Sequence, residues 1–326
     1  MTRIDAIITA VKDDLQRVEQ SLFVSLAEHA PLSRDVSSHV LSSGGKRFRP
    51  LLLLLAARLC NYQGENHIPL ACVIEYIHTA TLLHDDVIDH AQIRRGNVSA
   101  NALWGNHTSI LAGDFLLSKA FSMAIEAGNR EILRVLSRAA TLMVEAELQQ
   151  SEHSHDPLIT ETEYLHIITK KTASLIAAAS QIGAILAGVN SSKEQALTEY
   201  GLNVGIAFQI MDDVLDYAST ENDLGKTIGK DLLEGSVTLP LIEALRRSSA
   251  HDKNTVLHLM DKGQALDAAD LSVIFEIVNK YHGSRGAIEK AKTFVQKAKD
   301  ALTVFDSADH KTPLLDLATY VVERNN

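Results

Sequence analysis

Two acidic strings carry the most chemical information in this 326-residue chain. Asp85-Asp86-Val87-Ile88-Asp89 recurs as Asp212-Asp213-Val214-Leu215-Asp216, each time near the end of a long apolar stretch. On a helix, the first and last carboxylates of such a string lie one turn apart on a shared face, while the second sits about 100° round. Carboxylates fanned in this way suit a hard cation, and Mg²⁺ commonly takes one or two of them together with waters and substrate phosphate oxygens. A solvated acidic helix face is the blander reading of one such string. Random placement of this chain's aspartates gives about 0.1 copies of the pattern, so two copies are hard to reach by chance. The flanks, Thr79-Ala80-Thr81-Leu82-Leu83 and Ala207-Phe208-Gln209-Ile210-Met211, are largely apolar. Carboxylates clustered there are costly unless cations meet them.

Cations stand close by. Gly44-Gly45-Lys46-Arg47-Phe48-Arg49-Pro50 places three of them beside two glycines. Paired glycines let a backbone approach an anion, while Arg offers phosphate a planar fork and Lys a point charge. Arg94-Arg95-Gly96 follows the first acidic string, and His78 lies two turns before Asp85 on the same helix face, which favours a site role over that of a core histidine. Of the neighbours Lys170 and Lys171, one is expected to face solvent. Glu152-His153-Ser154-His155-Asp156 reads as a solvated inter-helix loop rather than a metal site. The net charge of -10 argues against a nucleic-acid protein, which needs a basic surface. An anionic substrate must therefore be met by grouped cations or by metal ions.

Long, rigid elements are needed to hold these residues. Apolar side chains recur at three- and four-residue intervals through most of the chain, and no alternating β-branched run is bounded by turn signals, so the fold is expected to be all-α. Helices are expected over residues 4–29, 50–62, 68–89, 107–127, 129–152, 161–188, 192–218 and several after 236. The prolines fall at 31, 50, 69, 157, 240 and 313, leaving long spans free for helix. No break resembles a flexible linker, so residues 1–326 are expected to form a single domain. Acidic residues at 5, 13 and 14 do not suit a targeting peptide. The apolar run Leu51 to Ala57 is too short to cross a bilayer, and no membrane span is expected. Cys60 and Cys72 lack any metal-site spacing and read as reduced core thiols of a cytoplasmic protein.

Taken in order, GGKxxRP, DDxxD, RRG, KT, QxxDDxxD and GKxxGxD form a signature over roughly residues 40–240 that resembles the trans-isoprenyl diphosphate synthase family. Among its members the chain is most similar to the bacterial octaprenyl-type synthases that make quinone side chains. The resemblance implies a single large helical bundle around a deep central cavity, and condensation of isopentenyl diphosphate with an allylic diphosphate such as farnesyl diphosphate. It implies that Lys46, Arg49, His78 and Arg95 hold the diphosphate of isopentenyl diphosphate. Asp85, Asp89 and Asp212 would ligate up to three Mg²⁺ on the allylic diphosphate, with Asp216 also at the metals and Asp86 and Asp213 supporting. Arg94, Lys171 and Lys226 would complete the cation shell, Asp231 would act through water, and Thr172 and Gln209 would face the developing allylic cation.

Product length, on the same resemblance, depends on side chains along the helix preceding Asp85, where short-chain members carry bulky aromatics. Ala80, Thr81 and Ile77 stand there, which predicts a long product; Phe115, Phe121 and Met123 are candidates for the tunnel floor or for plain core. One departure is Ser236, where the family often has lysine. That substitution raises the alternative of a non-catalytic regulatory subunit, against which both intact acidic strings speak. A short-chain synthase is a further alternative. A terpene cyclase would share DDxxD, but has no need of a second diphosphate site. A homodimer is expected, with loose membrane association for product release and no nucleic-acid partner.

Overall fold

Helix is what the apolar spacing asks for, and helix is what forms. The computed structural model describes residues 3–218, 229–306 and 308–323. The helices run α1 Arg3–Thr9, α2 Lys12–Val24, α3 Pro31–Ser42, α4 Phe48–Leu59, α5 His67–Ile88, α6 Ala100–Glu126, α7 Arg130–Glu152 and α8 Glu161–Ile168. A π-helical turn, Thr169–Ala173, joins α8 to α9 Ser174–Ala187. Then come α10 Ser191–Ala218, α11 Lys230–Leu233, α12 Leu239–Arg247, α13 Ala250–Met260, α14 Ala268–Lys280, α15 Gly283–Ala301 and α16 Ala308–Glu323. Strand appears only as a two-residue hairpin, β1 Ile93–Arg94 with β2 Asn97–Val98, among the described residues.

The chain divides into two compact units. The first comprises Met1–Ala140, Leu175–Gly201 and Leu302–Leu317; the second comprises Thr141–Ser174, Leu202–Ala301 and Ala318–Asn326. In the first, α5 packs chiefly on α6 and also on α4, α2 and α3. Leu51 to Leu55 of α4 are buried all round, as expected of a helix apolar on every face. Burying one such leucine stabilises by about 1.5–3 kcal/mol by transfer alone. Tyr76, fully buried on α5, donates its hydroxyl to the Leu22 carbonyl at 2.5 Å. In the second unit, α12 packs on α15, α14 and α8. Thr160 and Glu163 form a capping box at the start of α8, and Asp267 and Asp270 do the same for α14, satisfying end amides that the helices cannot satisfy themselves.

Several element boundaries depart from the expected ones. The anticipated helix 4–29 breaks at Ala10-Val11 and ends at Val24. Helix α3 was absent from the expected set because serines crowd it; Pro31 nevertheless starts it, and Val36, Val40 and Leu41 give it a buried face. Helix α6 begins seven residues before the expected 107, and the obstacle is visible: Gly105 has φ 81° and ψ 159°, a kink inside the helix. By length and composition α6, 27 residues long, could cross a bilayer. Core helices of soluble proteins satisfy the same criterion. Both cysteines are free, and burial pushes the Cys72 thiol up to about 12, as fits an inert core residue.

Candidate active site

Within the first unit, three sequence-distant motifs come together. Arg47 adopts φ 45° as the residue before α4 and turns inward. Its guanidinium donates to Glu75 at 2.9 Å, to Glu19 at 2.5 Å and to the Leu41 carbonyl at 2.8 Å. The three cations in Gly44 to Pro50 thus differ: Arg47 is committed inward, Arg49 is half-buried and Lys46 is exposed. Arg95 and Gly96 occupy the turn of the β hairpin, with φ 51° and 79°, the pair of positive angles that a tight two-residue hairpin requires. From there the Arg95 guanidinium donates to the Gly44 carbonyl and lies 2.9 Å from where a Cβ on Gly45 would sit. His78 belongs to the same cluster. Burial, then the charges of Arg49, Arg95, Arg94 and Arg47, hold its ring well below the ordinary histidine pKa, so it is neutral near pH 7.

The first acidic string sits at the end of α5. Asp85 and Asp89 are half-buried, whereas Asp86 is 0% exposed. Arg94, on the hairpin, meets the Asp86 Oδ1 through Nε at 2.7 Å and Nη2 at 2.5 Å. Asp86 Oδ2 is buried without a hydrogen-bond partner. Ile77 and Ala80 on the preceding turns are buried, and Thr81 is half-buried with its hydroxyl on the His78 carbonyl. Phe115, proposed from sequence for tunnel or core, stacks edge-on against His29 at 5.0 Å.

In the second unit, the π-helical turn carries Lys171 and Thr172, as such turns often carry functional residues. Thr172 donates its hydroxyl to Gln209 Oε1 at 2.8 Å, and Gln209 donates to Asp213 Oδ1 at 2.7 Å. The other Asp213 oxygen accepts the Tyr164 hydroxyl at 2.5 Å. Burial pushes the Asp213 carboxyl up to about 7, with the charges of Asp212 and Asp216 adding and the Tyr164 and Gln209 hydrogen bonds opposing. Asp212 is half-buried. Asp216 accepts the backbone amides of Lys230 and Asp231 at 3.2 and 3.1 Å, so it anchors the start of α11. Burial, then Asp213 and Asp216, raise the Asp231 carboxyl well above its ordinary value. Lys226 lies outside the described residues.

Lysines 170 and 171 do not divide into one buried and one solvated residue. Both lie along α7: Lys170 reaches Glu145 and Gln149 at 3.4 Å, and Lys171 reaches Glu147 at 2.6 Å and Gln150 at 2.8 Å. Tyr164, Gln150 and the Arg47–Glu75 pair were not singled out from sequence; each depends on a partner far along the chain, and none belongs to a spaced motif. Among the described residues, no group of three or more His, Cys, Asp or Glu side chains forms a ready-made metal cage. An all-oxygen donor set with an unpartnered buried carboxylate oxygen nevertheless fits a hard divalent cation that completes its shell with waters and substrate phosphates.

This fold and these residues define a helical enzyme that handles diphosphates. The polyprenyl synthetase family profile matches residues 30–278. Over 322 residues the chain is 38% identical to the octaprenyl diphosphate synthase of Haemophilus influenzae, covering 99% of this chain and 97% of that protein. It is 34% identical to the geranylgeranyl diphosphate synthase of Methanosarcina mazei, covering 96% and 97%. The crystal structure of a Caulobacter crescentus polyprenyl synthase, complexed with calcium and isoprenyl diphosphate, superposes with a TM-score of 0.94 at 37% identity, covering 99% and 98%. The chain belongs to the polyprenyl synthetase family and is a trans-prenyltransferase.

Proposed function

We propose that this enzyme adds isopentenyl diphosphate units to an allylic diphosphate, such as farnesyl diphosphate, to give a long, octaprenyl-like all-trans product for quinone side chains. The observation that carries the length is the run before Asp85: Ala80 is 2% exposed, Ile77 is 1% exposed, and neither they nor Thr81 is aromatic. Relatives that make shorter chains are equally full-length matches, so the reading rests on these side chains rather than on the family.

Lys46, Arg49, Arg95 and neutral His78 hold the diphosphate of isopentenyl diphosphate. Arg94, Lys171 and Lys226 hold that of the allylic substrate, and Asp85, Asp89, Asp212 and Asp216 hold magnesium there. Bound magnesium supplies Lewis-acid neutralisation of the charge that builds on the departing diphosphate. Fixed Arg and Lys side chains add preorganised positive charge that needs no rearrangement as the carbon–oxygen bond breaks. Apolar walls keep water from the allylic cation, and Thr172 and Gln209 line its position. The double bond of isopentenyl diphosphate attacks that cation, and the proton lost afterwards goes to the departed diphosphate. No covalent enzyme intermediate is required. Exposed Leu103, Ile110, Leu111 and Ile125 on α6 support a homodimer, and the protein acts in the cytoplasm with loose membrane association for product release.

Ala80→Phe tests the length reading. Mass spectrometry of products from the purified chain, farnesyl diphosphate, isopentenyl diphosphate and Mg²⁺ should show a shift to shorter prenyl diphosphates, with the melting temperature recorded alongside. Unchanged product length in a folded variant overturns it, and an inactive wild-type chain would favour the regulatory-subunit alternative.

A further inference from the structure

Arg47 stands between Lys46 and Arg49, yet it turns into the protein, and its surroundings show what holds this segment in shape. Residues 44–47 have no regular structure. Two of the four are glycines, with φ 83° and 138°, the residue type that loses most freedom when a chain is ordered. A cavity of about 610 Å³ lies between the segment and α2, lined by Leu15, Gln16 and Glu19 on one side and by Gly45 to Arg47 on the other. Close packing therefore does little to hold the segment on that side. The Arg47 guanidinium bridges the gap instead. Its Nε and Nη2 donate to the two Glu19 oxygens on α2 at 2.5 and 3.2 Å, Nη2 also donates to the Leu41 carbonyl on α3 at 2.8 Å, and Nη1 donates to Glu75 on α5 at 2.9 Å. A rigid, planar fork of five donors can tie three helices in this way. Two carboxylates face one guanidinium, so its charge is met within the protein. The left-handed backbone at Arg47, φ 45° and ψ 45°, is disfavoured for a residue with a Cβ and persists where surrounding contacts fix it.

We propose that Arg47 is a positioning residue for isopentenyl diphosphate: anchored on Glu75 and Glu19, it fixes the glycine-rich segment so that Lys46 and Arg49 on either side of it meet the diphosphate in one geometry. Glu75 lies one turn before His78 on α5, so the same bridge registers the segment against the histidine. Binding gains when the groups that meet a ligand are held in place beforehand, because less freedom is lost on association. Without the bridge, Lys46 follows two unsupported glycines. The inference rests on the reading that Lys46 and Arg49 hold the diphosphate of isopentenyl diphosphate.

Steady-state kinetics with each substrate varied in turn provide the test, using the full-length enzyme with Mg²⁺. Glu75→Gln keeps the shape of the anchor and removes its charge. The double variant Arg47→Met/Glu75→Met removes the buried pair together, which leaves no uncompensated charge and is often tolerated by the fold; Glu19, 40% exposed, stays in reach of water. Each should raise KM for isopentenyl diphosphate about tenfold, the worth of one charge-assisted hydrogen bond, with KM for farnesyl diphosphate changed less than about twofold. Glu75→Gln also carries a sign. Were Arg47 itself a clamp on the diphosphate, weakening its hold on Glu75 would free it for the substrate and lower KM for isopentenyl diphosphate, an outcome that overturns the positioning role. An equal rise for both substrates, or an unchanged KM in the folded double variant, overturns it too. Lys46→Met is the control on the underlying reading: if it leaves KM for isopentenyl diphosphate unchanged, the role given to Lys46 fails. If it raises that KM while the double variant does not, only the positioning role of Arg47 fails.

Discussion

Asp85 to Asp89 and Asp212 to Asp216 share spacing and almost share their intervening residues, yet the protein treats their middle carboxylates differently. Asp86, 0% exposed, meets the full charge of Arg94 on a hairpin eight residues ahead. Asp213, 3% exposed, meets only a phenol and an amide, Tyr164 and Gln209. Burial disfavours an anion in both places; at the first string a cation offsets it, and at the second the carboxyl answers by keeping its proton to about pH 7. The final carboxylates differ too. Asp89 ends its helix, its amide on the Asp85 carbonyl, whereas Asp216 accepts two amides from the start of α11. One five-residue string is thus built once as an ion pair with a buried, unpartnered oxygen and once as a node hydrogen-bonded to neutral side chains. The first is organised by a residue that follows it closely in sequence, the second by Tyr164 from an earlier helix, by Gln209 one turn before it and by the start of α11 after it.

If charge compensation is what separates the two strings, its removal should cost most at the first. Arg94→Leu leaves a buried Asp86 carboxylate without its cation, and breaking a buried pair on one side typically costs about 3–5 kcal/mol. Arg94 keeps 23% of its side chain exposed, which places the expected loss near the low end, about 3 kcal/mol. Urea unfolding with an unchanged slope measures it. Asp86→Asn in the same background should regain most of the loss, because the uncompensated charge is gone. A cost near zero for Arg94→Leu would erase the distinction.

The matching change at the second string is Tyr164→Phe. It removes one neutral donor from a buried carboxyl that retains Gln209, so the expected loss is about 2 kcal/mol, again by urea unfolding. The ranking is the sharp part of this prediction: if Tyr164→Phe costs more than Arg94→Leu, the second string is the more charge-dependent of the two and the comparison is reversed.

How much of this was readable beforehand follows from where each partner lies. The acidic strings, the Gly44 to Pro50 segment and Arg94-Arg95-Gly96 announce themselves because their chemistry is packed into a few adjacent residues. The all-α fold was equally legible from the three- and four-residue apolar spacing. What stayed hidden depends on tertiary contact. Nothing in the sequence near Arg47 says that it turns inward to Glu75 while Lys46 is exposed. Tyr164 looks like any aromatic on an apolar helix face until it is seen on Asp213. The kink at Gly105 and the π-helical turn at Thr169–Ala173 are single-residue changes in helix winding that periodicity over a long window averages away. The hairpin of two-residue strands is too short to show alternation at all.

The smallest effect is also the most specific to the second string, because it is a titration. The folded-state pKa of Asp213 is raised, to about 7 from an ordinary carboxyl near 3.8. Between those values the folded protein binds more protons than the unfolded chain, so stability must fall as pH rises through this window and level off above it. Burial also raises the Asp216 and Asp231 carboxyls above their ordinary value. For Asp213 alone the change from pH 6 to pH 7 is at most about 1.4 kcal/mol. Thermal or urea unfolding in EDTA, which keeps divalent cations from the carboxylates, should show stability decreasing over that unit of pH. Asp213→Asn should flatten the slope. A slope that Asp213→Asn leaves unchanged would mean that Asp213 is held as an anion after all.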